Sequence, residues 1–157
     1  MSTTAEHSPF PGLRPFHTDE DYLFFGRDAQ VSRLLNRLRK NRFIAVVGTS
    51  GSGKSSLVRA GLIPSLTGGA MMQAGSSWEI ALMRPGGRPI ENLAQALAET
   101  ELYEPDSPEL VERLTASLKR SRLGLTEAKR FSDTDATTNL LLVVDQFEEV
   151  FRFVESG

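Results

Sequence analysis

The stretch "VVGTSGSGKSSLVRAG", residues 46–61, sets Gly48, Gly51 and Gly53 among serine and threonine, between an apolar run and a helix-like pattern. The run before it, "RFIAVVG" from Arg42 to Gly48, is the kind of short, fully apolar strand that a parallel sheet buries on both faces. A helix is expected to start in the glycine-rich loop and run toward Gly61, with Pro64 beyond its end. In between, Gly48-Thr49-Ser50-Gly51-Ser52-Gly53-Lys54-Ser55 has the spacing G-x-x-x-x-G-K-[ST]. That spacing meets a physical requirement. A chain can wrap a polyphosphate with its N–H groups inward only where side chains do not block the approach and where backbone angles open to glycine are used. The helix that follows adds unpaired N–H groups and its positive dipole end. Lys54 would then reach the β- and γ-phosphates, with the Ser55 hydroxyl in the Mg²⁺ shell and Ser56 beside it. A glycine-serine linker would lack the flanking strand and helix.

A second stretch, "LLLVVDQFEEV" from Leu140 to Val150, reads as another buried strand, ending in Asp145. An acidic residue at the C-terminal edge of such a strand is the Walker B arrangement, in which the carboxylate holds Mg²⁺ through water. Ligands of open parallel sheets bind at that edge, so Gly48 and Asp145 are expected to face one crevice. Glu148 and Glu149 follow within a turn. One of them would polarise the attacking water as general base; the plainer alternative is a solvated helix start, where carboxylates are favoured.

The rest of the chain alternates strands and helices. Val31, Leu34, Leu35 and Leu38 recur at helical spacing behind Asp28, placed as an N-cap. Residues 77–85, "SWEIALMRP", are a strand candidate. Ile90, Leu93, Ala94 and Leu97 outline a second amphipathic helix. A third starts at Ser107-Pro108 and turns Leu110, Val111, Leu114 and Leu118 to the core. Residues 124–139 are polar and read as irregular. The pattern predicts an α/β fold with a parallel sheet. "PFPGLRPF", residues 9–16, is excluded from regular helix by its prolines. It is either an arm pinned by Phe10, Leu13 and Phe16 or a loose leader.

With 157 residues, 39% of them apolar and 24% charged, the chain is long enough for a domain with its own core. A net charge of −2 argues against a protein built on phosphate neutralisation of nucleic acid. Basic residues gather at Arg37, Arg39, Lys40 and Arg42 and at Lys119, Arg120 and Arg122, near helix ends where cations complement the dipole; a contact for an acidic partner is the alternative. The absence of cysteine excludes disulfides and thiolate metal sites and suits the cytosol. The N-terminus has no signal-peptide pattern. Apolar runs are far short of the ~20 residues that span a bilayer.

Taken in order, "PFPGLRPF", "FFGRDAQV", "VVGTSGSGKSSLVRAGLIPSL" and "LLVVDQFEEVF" resemble the novel STAND NTPase family, signal-transduction ATPases related to NACHT and AAA-type P-loop proteins. The resemblance implies a three-layer P-loop sandwich and an ATP/ADP switch in a larger protein that works with other protein domains or by self-association. It divides the chain into an arm, residues 1–27, and a partial NTPase domain, residues 28–157. It also makes Gly26 and Arg27 nucleotide contacts. Gln146 stands where AAA-type proteins place glutamate, so Asp145-Gln146-Phe147-Glu148-Glu149 looks more like the NACHT pattern. Such folds carry a central strand that comes later in sequence than Walker B. The chain reaches only Gly157, so the sheet is expected to lack that strand; its neighbours then close up or leave ladder groups unpaired. Two functions stand side by side: an Mg·ATP-hydrolysing switch module run by Lys54, Ser55, Asp145 and a glutamate, or a truncated remnant that binds nucleotide weakly or serves as an interaction module. A small nucleotide kinase would need an arginine-rich lid, and no segment supplies one.

Overall fold

The computed structural model describes residues 14–71, 77–104, 109–132 and 137–154. The chain divides into two compact units, Met1–Gln73 and Ala74–Gly157.

In the first unit a 3-10 helix, Thr18–Leu23, precedes α1, Asp28–Leu38. Arg27 occupies the N-cap, so Asp28 is the first helical residue and not the cap expected from sequence. Its carboxylate still suits the positive end of the helix. The helix after the glycine-rich loop, α2, is continuous through three segments: Lys54–Ser56, Leu57–Leu62 in the wider π form, and Ile63–Thr67. It therefore passes Gly61 and Pro64, where sequence placed its end. A π turn is the local irregularity that lets a helix absorb a disruption. Here it lies directly before the proline, and the Ser65 hydroxyl donates to the Gly61 carbonyl at 2.7 Å. Leu57, Ala60, Leu62, Ile63 and Leu66 of this helix are buried with Leu34 of α1.

The arm before α1 is anchored. Arg14 donates to both carboxylate oxygens of Glu20, at 2.7 and 2.6 Å, and Glu20 also accepts the His17 N–H at 2.8 Å. The Arg14 hydrogen bond, with the His17 N–H behind it, draws the Glu20 carboxyl down to about 2. Being lowered, that carboxylate supports the arm in full above the ordinary carboxylate range, and the support declines below that range and is lost as pH falls through about 2. Phe16 meets Phe24 edge-to-face at 5.8 Å. This supports the pinned arm for Phe16; Phe10 and Leu13 lie outside the described residues.

Residues 42–48 differ from expectation. They are not hydrogen-bonded into a sheet, and Phe43 and Val47 are 84% and 87% exposed. A strand exists only through its ladder, and among the described residues none pairs with this segment.

The second unit holds β1, Ser77–Met83, and β2, Thr138–Val144, paired in parallel with Ser77 opposite Thr138 and Met83 opposite Val144. Between them come α3, Pro89–Ala98; α4, Leu110–Arg120; and α5, Gly124–Arg130. A short α6, Glu149–Val154, follows β2. The fold is α/β with an open, two-stranded parallel sheet. Ala81 and Met83 of β1, with Leu140, Leu142 and Val144 of β2, pack on a core of Ala94, Leu97, Leu102, Leu114 and Ala128. Leu97, Leu102 and Leu114 are fully buried, each stabilising by roughly 1.5–3 kcal/mol. The expected start of α4 at Ser107-Pro108 lies outside the described residues. The helix α5 corrects the irregular reading of residues 124–139. Only Ala128 and Gly124 of α5 are buried, too few apolar positions to show periodicity. Gly124 permits the crossing, because a Cβ there would come within 2.5 Å of the Ser117 carbonyl oxygen. The Tyr103 hydroxyl, whose pKa burial raises, fastens α5 by donating to the Ala128 carbonyl at 2.9 Å.

Gly61 is a point of close packing between α2 and α1. A Cβ there would stand 2.6 Å from Val31 Cγ2 and 3.3 Å from Phe24 Cε1. Gly61→Ala is expected to destabilise the unit by about 1–3 kcal/mol despite alanine's better helix propensity. Thermal denaturation should show the melting temperature fall; a rise would contradict the packing.

Candidate functional site

The glycine-rich loop owes its shape to backbone angles that other residues avoid. Gly51 and Gly53 have φ of +76° and +80°, and Gly53 forms the N-cap of α2. Ser52 N–H donates to the Thr49 carbonyl at 3.3 Å, closing a turn. Gly48 faces that turn so closely that a Cβ would lie 2.9 Å from Ser52 Oγ. Among the described residues the N–H groups of Gly51 and Gly53 donate to nothing. Unsatisfied amides of this kind at a helix start are donors for an anion.

Two cations converge on the same loop. Lys54 Nζ donates to the carbonyls of Gly48 and Thr49, both at 2.8 Å. Arg27 Nη2 donates to the Ser52 carbonyl at 3.4 Å and would lie 3.8 Å from a Cβ on Gly53. Gly26, at φ +78°, turns the chain from Phe25 into α1 and so delivers Arg27 there. No acidic residue lies between Gly48 and Ser56, so the local field favours a negative guest. Thr49 and Ser50 are exposed at the tip, and Ser55 and Ser56 lie in the first turn of α2. Ser56 Oγ accepts the Phe16 N–H at 3.2 Å.

The acidic candidates lie in the second unit. Asp145 directly follows β2, and its N–H extends the ladder to the Met83 carbonyl at 2.9 Å. Its carboxylate, in a side chain only 10% exposed, stands 3.7 Å from Arg84 Nε. Gln146 takes φ +56°, turning the chain away from the strand. Glu148 is exposed. Glu149 opens α6, and its Oε2 accepts the Gly86 N–H at 3.0 Å. Asn92 braces the same turn by donating to the Pro85 carbonyl at 2.9 Å. The two glutamates thus differ: Glu149 ties the turn after β1 to the start of α6, whereas Glu148 faces solvent.

The candidate residues therefore form two groups, one in each unit: Gly26, Arg27 and Gly48–Ser56, and Asp145, Glu148 and Glu149. Sequence reasoning missed Arg84 and Gly86, and it read Phe16 only as an apolar anchor of the arm. Arg84 had a signal, since it follows β1 as Asp145 follows β2 and the register puts Met83 opposite Val144. The Phe16 bond to Ser56 joins a main-chain donor to a distant side chain and leaves no mark in the sequence.

The donor set fits a nucleotide phosphate: open amides, glycine-lined backbone and two cations. Ser55 and Asp145, the residues expected from sequence to meet Mg²⁺, carry the hard oxygens that such an ion takes, but they belong to different units. Among the described residues no group of three or more His, Cys, Asp or Glu side chains could hold a metal by itself.

The family model for Novel STAND NTPase 1 matches residues 9–157. The chain belongs to that family. This makes it a nucleotide-binding module of the STAND NTPases. No curated protein and no solved structure matches the chain. Among the described residues no helix is long and apolar enough to cross a membrane.

The contrast between the glutamates is testable without nucleotide. Glu149→Ala leaves the Gly86 N–H without its acceptor and should cost about 1–2 kcal/mol in urea denaturation. Glu148→Ala, an exposed change, should stay within about 0.5 kcal/mol. Equal losses would contradict the assignment.

Proposed function

We propose that this STAND module binds Mg·ATP through the loop Gly48–Ser56 and hydrolyses it with acidic residues of the β2 edge, acting as an ATP/ADP switch within a larger assembly. The observation that carries the reading is the loop itself, where left-handed glycines leave amides unpaired beside Lys54 and Arg27. Lys54 would exchange its two loop carbonyls for β- and γ-phosphate oxygens, a trade of neutral acceptors for charged ones. Arg27 and Gly26 line the nucleotide from the side of α1. By the motif spacing, Ser55 and Asp145 are the residues that would hold Mg²⁺, and that ion would supply neutralisation of phosphate charge. Arg84 stands beside the Asp145 carboxylate at 3.7 Å and balances its charge.

Glu148 is the general base in this scheme. It is exposed, while Glu149 is engaged by the Gly86 N–H and serves to hold the loop that carries Glu148. A base must be within reach of the water it activates, and only Glu148 can offer its carboxylate without breaking a bond.

A second reading, weak nucleotide binding in an interaction module, has one observation in its favour. Phe43, Val47, Phe147 and Phe151 are exposed, and residues 42–48 have no ladder partner among the described residues.

Equilibrium binding of a fluorescent ATP analogue with Mg²⁺, together with phosphate release, separates the two. The switch reading predicts saturable binding that Lys54→Ala weakens at least 100-fold. Glu148→Gln should cut turnover about 100-fold or more without weakening binding, and Glu149→Gln should reduce it far less. Binding with no turnover in the unmodified chain would favour the interaction module.

A further inference from the structure

We propose that the segment Arg14–Phe24 is a latch on the nucleotide site, in which the main-chain N–H of Phe16 positions the Ser56 hydroxyl so that docking of the arm and binding of phosphate strengthen each other. The inference rests on the reading of the loop as the nucleotide site and adds a coupled element to it.

Three observations within the first unit carry it. Phe16 N–H reaches Ser56 Oγ at 3.2 Å, in partly buried surroundings. Ser56 ends the first segment of α2, directly after the Lys54-Ser55 pair of the motif. A serine hydroxyl has one proton to donate and two lone pairs. With a lone pair taken by Phe16, its O–H is left to donate, and donating while accepting strengthens both bonds. The arm thus orients the hydroxyl as a donor, which is the role an anion needs.

The arm is also built to hold that donor in place. Arg14 and Glu20 close residues 14–20 into a loop through paired contacts at 2.7 and 2.6 Å, and the His17 N–H closes it again at 2.8 Å. Phe16 sits inside this loop and meets Phe24 at 5.8 Å. Phe24 in turn lies where a Cβ on Gly61 would meet it at 3.3 Å, so the far end of the arm rests on α2 as well. The arm therefore grips the P-loop helix at its first turn and again at the π segment. Anything that orders the first turn favours the docked arm, and by linkage the docked arm favours whatever orders that turn.

The test uses the full chain. Amide exchange at Phe16 is followed with and without Mg·ATP, and Mg·ATP affinity is measured for the unmodified chain, Glu20→Ala and Arg14→Ala, neither of which touches the loop. Thermal melts establish which variants fold, and two variants guard against one failing. The latch predicts several-fold slower exchange at Phe16 on addition of Mg·ATP. It also predicts a roughly 3- to 10-fold loss of affinity in a folded arm variant, the worth of about one hydrogen bond. Tight binding with unchanged Phe16 exchange and unchanged variant affinities would overturn the latch alone. No Mg·ATP binding by the unmodified chain would overturn the nucleotide reading and the latch with it, and Phe16 protection in the nucleotide-free chain would then mark the arm as purely structural.

Discussion

The left-handed backbone at Gly51 and Gly53 is the constraint on which the rest of the first unit depends. A residue with a Cβ would be strained there by about 1–2 kcal/mol at each position, and the loop would relax toward an ordinary turn. Held as it is, the loop ends with Gly53 as N-cap and starts α2 there. The position of Lys54 follows, because its ammonium can reach the Gly48 and Thr49 carbonyls only when the chain doubles back. Arg27 adds a second cation through another left-handed glycine, Gly26.

Downstream of the loop, α2 transmits that geometry. Its π segment carries the helix past Pro64, and Gly61 lets Val31 and Phe24 approach within contact distance. The arm is fastened to the same helix. In the second unit the organising element is the parallel pairing of β1 with β2, which brings Arg84 beside Asp145 and the turn at Gly86 beside Glu149. Strand ends, rather than strand interiors, carry these polar contacts.

Local conformation was the part most legible in the sequence. The loop, the helix behind it and the Asp145 strand can be read from spacing and apolar runs, since their physics needs few distant residues. What depends on partners was not legible. Residues 42–48 look like a buried strand because Phe43, Ile44, Val46 and Val47 are apolar, yet apolarity states a need for a neighbour and does not provide one. The helix Gly124–Arg130 escaped because only Ala128 and Gly124 are buried, and because a close crossing over Ser117 is a tertiary event. The extension of α2 past Pro64 turned on a π segment that no sequence pattern announces. At the site, the residues of the loop were readable, but the division of labour between Glu148 and Glu149 was not. That distinction rests on a single acceptor bond from the Gly86 N–H, formed across elements far apart in the chain.

The claim at the centre of this account is that loop amides, freed by glycine geometry, are the phosphate donors. Its most direct test is amide NMR of the full chain titrated with Mg·ADP and, separately, with inorganic pyrophosphate. The account predicts that the amide signals of Gly51 and Gly53 move first and furthest with both ligands, as their N–H groups gain charged acceptors. Shifts that leave those amides unmoved while other residues respond would contradict it.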